Sequence, residues 1–156
     1  MAQLRRQGKA DEMIPQKQLN RHCPENGVFG DCHRTAIACL LDMRPEEVPN
    51  WSEKHWQDVD AWMRAEKEFL ASKGLSSVTF AYNSDLESLL AAMGITNPSA
   101  FYMITGKSRN GTHHVVIAKG SEIVWDPAQD NSGIVGPCED GLYWLDFLVP
   151  AFMVQK

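Results

Sequence analysis

Read for the spacing of its apolar residues, the chain changes character near its middle. From Cys32 onward a run of good helix formers carries Ala36, Cys39, Leu40 and Met43 at helical intervals. That spacing predicts a mostly buried helix with Cys32 at its first position and Asp31 as its N-cap. Pro45 and Pro49 bracket a turn. Ser52 then opens a second helix, predicted over 53–72 with Trp56, Val59, Met63 and Leu70 on one inward side and Gly74 ending it. Residues 78–82 read as a short strand. Ser84 caps a helix over 85–93 that turns Leu86, Leu89, Leu90 and Met93 inward and closes at Gly94.

Past that point the period shortens. The runs 100–105, 113–118, 122–126 and 142–149 are short, rich in β-branched or aromatic residues, and separated by turn formers. Helices first and antiparallel strands afterwards predict an α+β domain, its N-terminal helices packed on a C-terminal antiparallel sheet. No repeat, low-complexity tract or linker interrupts the pattern. The reading is therefore one domain over 16–156, preceded by a flexible polar leader over 1–15 in which Arg5, Arg6 and Lys9 form a solvated tail.

Composition narrows the class of function. With 156 residues, 44% of them apolar and 22% charged, the chain is long enough to bury a core without crosslinks. A formal charge of −5 argues against a general nucleic-acid partner. No apolar run approaches the ~20 residues that span a bilayer. None follows the basic start as a signal peptide would require, so a cytoplasmic protein without membrane contact is expected. The four cysteines then read as thiols and not as a disulfide framework. Nothing in the pattern calls for a cofactor or specifies an oligomeric state.

A thiol attacks carbonyl carbon only as its thiolate, which is favoured at a helix N-terminus and beside an imidazole. Cys32, behind Gly30-Asp31, has the helix terminus; His113 and His114 open one strand and Asp126-Pro127 ends the next. Hairpin parity separates the two histidines, because residues directly opposite share a face. A two-residue turn, Lys119-Gly120, pairs His113 with Asp126. A three-residue turn, Lys119-Gly120-Ser121, pairs His114 with Asp126 and gathers Val115, Ile117, Ile123 and Trp125 on one apolar side, as a core-facing sheet requires. His114 is preferred on that ground, with His113 as the alternative base.

The stretches Gly30-Asp31-Cys32-x-x-x-Ala36, Thr112-His113-His114-Val115-Val116-Ile117 and Val124-Trp125-Asp126-Pro127 resemble the papain-like cysteine peptidases. The likeness is to the compact bacterial branch that includes the double-glycine leader peptidases of bacteriocin exporters. It spans Asn26 to Pro127 and implies a papain-like fold, with Cys32 as nucleophile, His114 as base and Asp126 as the residue orienting the base. It also implies an amide about six residues before the cysteine that donates to the oxyanion. Asn26 holds that position here, where the family usually has Gln, with the Cys32 backbone N–H as a second donor. The expected substrate is a peptide or protein, contacted by Gly30, by His33 exposed on the helix surface, and by Trp125 as a wall of the cleft.

The reaction class stays open at this level. A cysteine hydrolase acting on a peptide, isopeptide or amide bond through a thioester is the leading reading, and a deamidase or acyl transferase uses the same triad. A catalytically silent binding module, for instance a phage or mobile-element effector acting on a host protein, is the competing class. A plain structural domain is the third. Zinc is disfavoured because Cys23, His22, Cys32 and His33 lack the close cysteine pair that zinc sites use. Cys39 reads as core, and Cys138 as an incidental exposed thiol in a loop.

Overall fold

A computed structural model describes residues 13–154; Arg5, Arg6, Lys9 and most of the 1–15 leader lie outside them. Met13 packs against the main core, and the Ile14 N–H bonds the Cys39 carbonyl at 3.1 Å. The packed chain therefore includes the end of the segment expected to be a free leader.

The helices are α1 (Cys32–Leu41), α2 (Trp51–Lys54), α3 (Val59–Ser72) and α4 (Leu86–Thr96). The strands are β1 (Leu75–Tyr82), β2 (Phe101–Lys107), β3 (His113–Lys119), β4 (Glu122–Trp125) and β5 (Tyr143–Pro150). They form one sheet in the order β1-β5-β2-β3-β4, with every neighbouring pair antiparallel. The α+β class with an antiparallel sheet thus holds, and no helix among the described residues is long and apolar enough to cross a membrane.

Period-2 alternation along the central strands divides the apolar side chains between the two faces of the sheet. Met103, Val115 and Ile117 join Ala36, Ile37, Cys39, Val48, Trp51 and Leu70 in a core under α1 and α3. Tyr102, Ile104, Val116 and Ala118 join Leu89, Met93, Tyr143 and Leu145 in a second core under α4. Fully buried Ile37 lies at the centre of the first, and Ile37→Ala at such a site costs about 2–5 kcal/mol.

The single helix expected over 53–72 is two. Asn50 caps α2 through Glu53 N–H, Asp58 caps α3 through Ala61 N–H, and Gln57 between them takes a positive φ of 66°. The break rotates the inward face of α3 to Trp62, Ala65, Phe69 and Leu70, leaving Trp56, Val59 and Met63 exposed. In α4, Asp85 and not Ser84 is the cap, accepting from Ser88 N–H at 2.7 Å. Gly94 lies inside that helix and does not close it; a Cβ there would come within 2.8 Å of the Ser121 side chain.

Neither turn expected for the β3–β4 hairpin forms. The strands close through Gly120-Ser121, pairing Lys119 with Glu122 and Ala118 with Ile123, and a bulge then brings Ile117 opposite Trp125. Gly120 is required twice over: its φ is +55°, and a Cβ would lie 2.4 Å from the Pro98 carbonyl oxygen. The turn alone would send His114 and Asp126 to opposite faces; the extra bulge residue inverts the parity again and returns them to one side. Ile123 consequently stands beside Ala118, partly exposed, instead of joining Val115, Ile117 and Trp125.

Candidate active site

Cys32 begins α1, a helix of ten residues, where backbone N–H groups without intrahelical acceptors favour negative charge. Asp31 holds that terminus without capping it by side chain. Its buried carboxylate instead accepts from Leu19 N–H at 3.2 Å, Asn20 N–H at 2.9 Å and Arg34 Nε at 3.0 Å, tying the incoming chain to the helix start. Gly30 precedes it because a Cβ there would meet His22 Cβ at 2.9 Å.

β4 pairs with β3 only as far as Ile117, and Cys32 meets β3 before that point, at His114 and Val115. The Cys32 sulfur interacts with the His114 imidazole and with the Val115 backbone N–H. His114 Nε2 is bonded to Asp126 Oδ1 at 2.5 Å, which leaves Nδ1 as the nitrogen for the thiol. Asp126 is held in turn by Ala128 N–H at 2.8 Å and Gly133 N–H at 2.8 Å. His113, the alternative base, is exposed at the cleft rim, and no bond joins it to Asp126.

Burial alone would raise the Cys32 pKa, but the His114 bond and charge, the Val115 N–H and the His33 charge together bring it below the ordinary thiol value. Burial likewise works against a charged His114, yet the bonds to Asp126 and to Cys32 lift its pKa to about 9. Asp126 is buried enough to raise its own pKa, and is held below the usual carboxylate range by His114 and by the Ala128 and Gly133 amides. These directions favour a thiolate beside an imidazolium, with the carboxylate behind it.

Cys32, His114, His33 and Gly30 line one cleft of about 850 Å³. Its other lining side chains include Gln18, His22, Trp56, Trp62, Asn110, Thr112 and Gln129. Trp56 packs on His22 and Phe29 with ring centroids 5.1 Å away in each case, so part of the wall is aromatic.

Three sequence expectations fail here. Asn26 is exposed outside the cleft lining, and its amide donates to Cys23 Sγ at 3.1 Å, because the 3-10 turn Pro24–Asn26 curls it back on its own loop. Trp125 is a core residue: its indole N–H donates to the Gln16 carbonyl at 2.8 Å, the Lys17 ammonium lies 4.6 Å from its ring centroid, and it does not line the cleft. His33 is not a surface residue, being bonded to Glu66 at 2.9 Å between the rings of Trp51 and Trp62.

Gln18 was missed. Its backbone N–H bonds the Pro127 carbonyl at 2.8 Å, and the next two amides bind Asp31, so it stands between the neighbours of Asp126 and of Cys32. The side chain is buried; its amide Nε2 donates to the Asn20 carbonyl at 2.6 Å, and its Oε1 has no partner among the described residues. An amide upstream of the cysteine was the available signal, but its separation from Cys32 is not the one the resemblance prescribes.

Of the other thiols, Cys39 is fully buried and Cys138 is buried too, its Sγ 3.8 Å from the Thr105 carbonyl oxygen, contrary to the exposed thiol expected. Cys23 interacts with Glu25 and Asn26. Among the described residues no group of three or more His, Cys, Asp or Glu is placed to hold a metal ion. Comparison with family models, with curated proteins and with solved structures finds no match to this chain.

Proposed function

We propose that this protein is a papain-like cysteine hydrolase that cleaves a peptide, isopeptide or other amide bond through a thioester on Cys32. The observation carrying this reading is the bond from His114 Nε2 to Asp126 at 2.5 Å, which turns the other ring nitrogen toward a thiol at a helix N-terminus. The thiolate adds to the carbonyl carbon, and the oxyanion is met by the Cys32 backbone N–H and by the second N–H of the Gln18 amide, whose first is held by the Asn20 carbonyl at 2.6 Å. The His114 imidazolium gives its proton to the leaving nitrogen as the C–N bond breaks, leaving an acyl thioester. Neutral His114 then takes a proton from water, whose oxygen attacks the thioester and releases the acid and the thiolate. Asp126 fixes the ring and favours its charged form throughout.

A cleft of about 850 Å³ with aromatic and amide-bearing walls suits an extended peptide segment in a cytoplasmic setting. Incubation with a mixed peptide library, followed by intact-mass measurement after rapid acid quench, tests the reading. An acyl adduct on Cys32 that is absent from Cys32→Ala protein, together with products of a single bond class, supports it. Failure of peptide, isopeptide and simple amide donors alike to acylate Cys32 overturns it.

A further inference from the structure

Cys32 is flanked by a second imidazole that the triad does not use. His33 follows it on α1 and lines the same cleft, and its Nε2 meets Glu66 Oε1 of α3 at 2.9 Å. Both side chains of the pair are only 16% exposed. Trp51 and Trp62 stand edge-on to the ring at centroid distances of 6.1 and 5.9 Å, so the imidazole is packed against two indoles as well as the carboxylate. The carboxylate occupies the distal nitrogen, which leaves the ring between Glu66 and the helix backbone bearing the thiol.

We propose that His33 and Glu66 are a positioning pair: Glu66 keeps His33 cationic, and that fixed cation holds Cys32 as a thiolate independently of His114. The idea deepens the hydrolase reading and rests on its activated thiol. The groups facing His33 are Glu66 from α3, Asp146 from β5 and Cys32 from its own helix. Burial disfavours charge on His33, but the Glu66 charge and bond outweigh it, Asp146 and Cys32 add to them, and its pKa rises to about 9. Asp146 is itself fixed, accepting from Ser77 Oγ at 3.2 Å and Thr79 Oγ1 at 2.5 Å. With its distal nitrogen committed to a carboxylate, His33 lends charge without shuttling a proton.

A cation that only holds a thiolate has a kinetic signature that scaffolding lacks. Lowering a thiol's pKa enlarges the thiolate fraction but weakens each thiolate, so a tenfold gain in fraction comes with about a threefold loss of intrinsic reactivity. Iodoacetamide reports both quantities: the thiolate displaces iodide, one C–S bond forms as one C–I bond breaks, and peptide mapping reads Cys32 apart from the other thiols. The alkylation rate across pH is to be measured for wild type, His33→Gln, Glu66→Gln, His114→Ala and the His33→Gln/His114→Ala double variant.

In His33→Gln and Glu66→Gln the midpoint moves up, alkylation below it slows, and the plateau above it quickens by up to about threefold per tenfold lost thiolate. His114→Ala keeps a midpoint below that of an ordinary thiol, and the double variant loses it. Unchanged midpoints in both His33→Gln and Glu66→Gln overturn the pair while leaving the triad standing. An ordinary midpoint in wild type overturns the activated thiol and the pair together. The midpoint shifts expected of the pair, found without hydrolysis of any amide, would instead count against the hydrolase alone.

Discussion

On one side of Cys32 the cleft is made of helices, and on the other of a strand edge followed by loops. The helical side sets His33 of α1 against Glu66 of α3, with Trp51 and Trp62 about them. Across from it, His114 is the second residue of β3 and its partner Asp126 lies past the end of β4, in chain with no regular structure. Each side holds an imidazole beside a carboxylate, and both imidazoles have pKa values lifted to about 9. Their supports differ. Glu66 is placed by helix packing, whereas Asp126 is placed by the Ala128 and Gly133 amides and by Lys17, whose ammonium bonds the Asp126 and Ala128 carbonyls at 2.8 Å each. The regular side can supply a fixed charge; the irregular side reaches the sulfur with a nitrogen free to exchange a proton.

The sharpest break of that contrast is His114→Ala, expected to lower kcat/KM about 10²- to 10⁴-fold, whereas His33→Gln costs only a few-fold. Steady-state hydrolysis by the two proteins checks it, and equal losses would erase the distinction. Next in size is Gln18→Ala. Loss of a side-chain oxyanion donor costs about 10²-fold or more in kcat, while Asn26→Ala is expected to be silent; the reverse order would return the role to Asn26.

The pH profile follows from the same groups. On the proposed mechanism the active pair is thiolate with imidazolium, so activity is expected to rise through the lowered Cys32 pKa and to fall as His114 loses its proton near pH 9. A rate still climbing well above that pH would contradict the charged resting state. Lys17→Met removes three bonds from the loop side, including one to Asn131 Oδ1 at 2.6 Å, and is expected to lower stability by about 1–3 kcal/mol and kcat with it. Chemical denaturation reads the first effect and initial rates the second.

The smallest expected effect is on stability through the helical pair. His33 has its pKa raised, so its contribution is fully present below about pH 6.5 and is lost as pH rises through about 9. Glu66 has its pKa lowered, so its contribution is present above the ordinary carboxylate value and is lost as pH falls through the depressed one. The Tm difference between wild type and Glu66→Gln should therefore be widest between the ordinary carboxylate pKa and about pH 6.5, and close on both sides. A difference constant across pH would show that Glu66 acts by packing alone.

Much of the helical side could be read from residue spacing, because helix periodicity is local. The start of α1 at Cys32, its buried Ala36 and Cys39, and the inward Leu89 and Met93 of α4 all lie where the pattern puts them. Capping was less legible. Asn50 and Asp58 begin separate helices, and no propensity sum shows that Gln57 will accept a positive φ between them. Once that break is missed, Trp56 is assigned to the core and the cleft loses part of its aromatic wall.

By itself, the sequence determined the α+β order of elements, a cysteine at a helix N-terminus, and the even separation of His114 and Asp126 along a hairpin. Tertiary structure decided how that separation became a contact: a turn one residue shorter than expected and a bulge between Ile117 and Ala118 cancel in parity. It also moved Asn26 out of the cleft, brought Gln18 in, and set Glu66 against His33 across 33 residues. The physical reason is range. Helical and strand periods are fixed by neighbours a few residues away, while bulges, buried charge pairs and cleft walls depend on which distant segments meet, and no spacing along the chain records that.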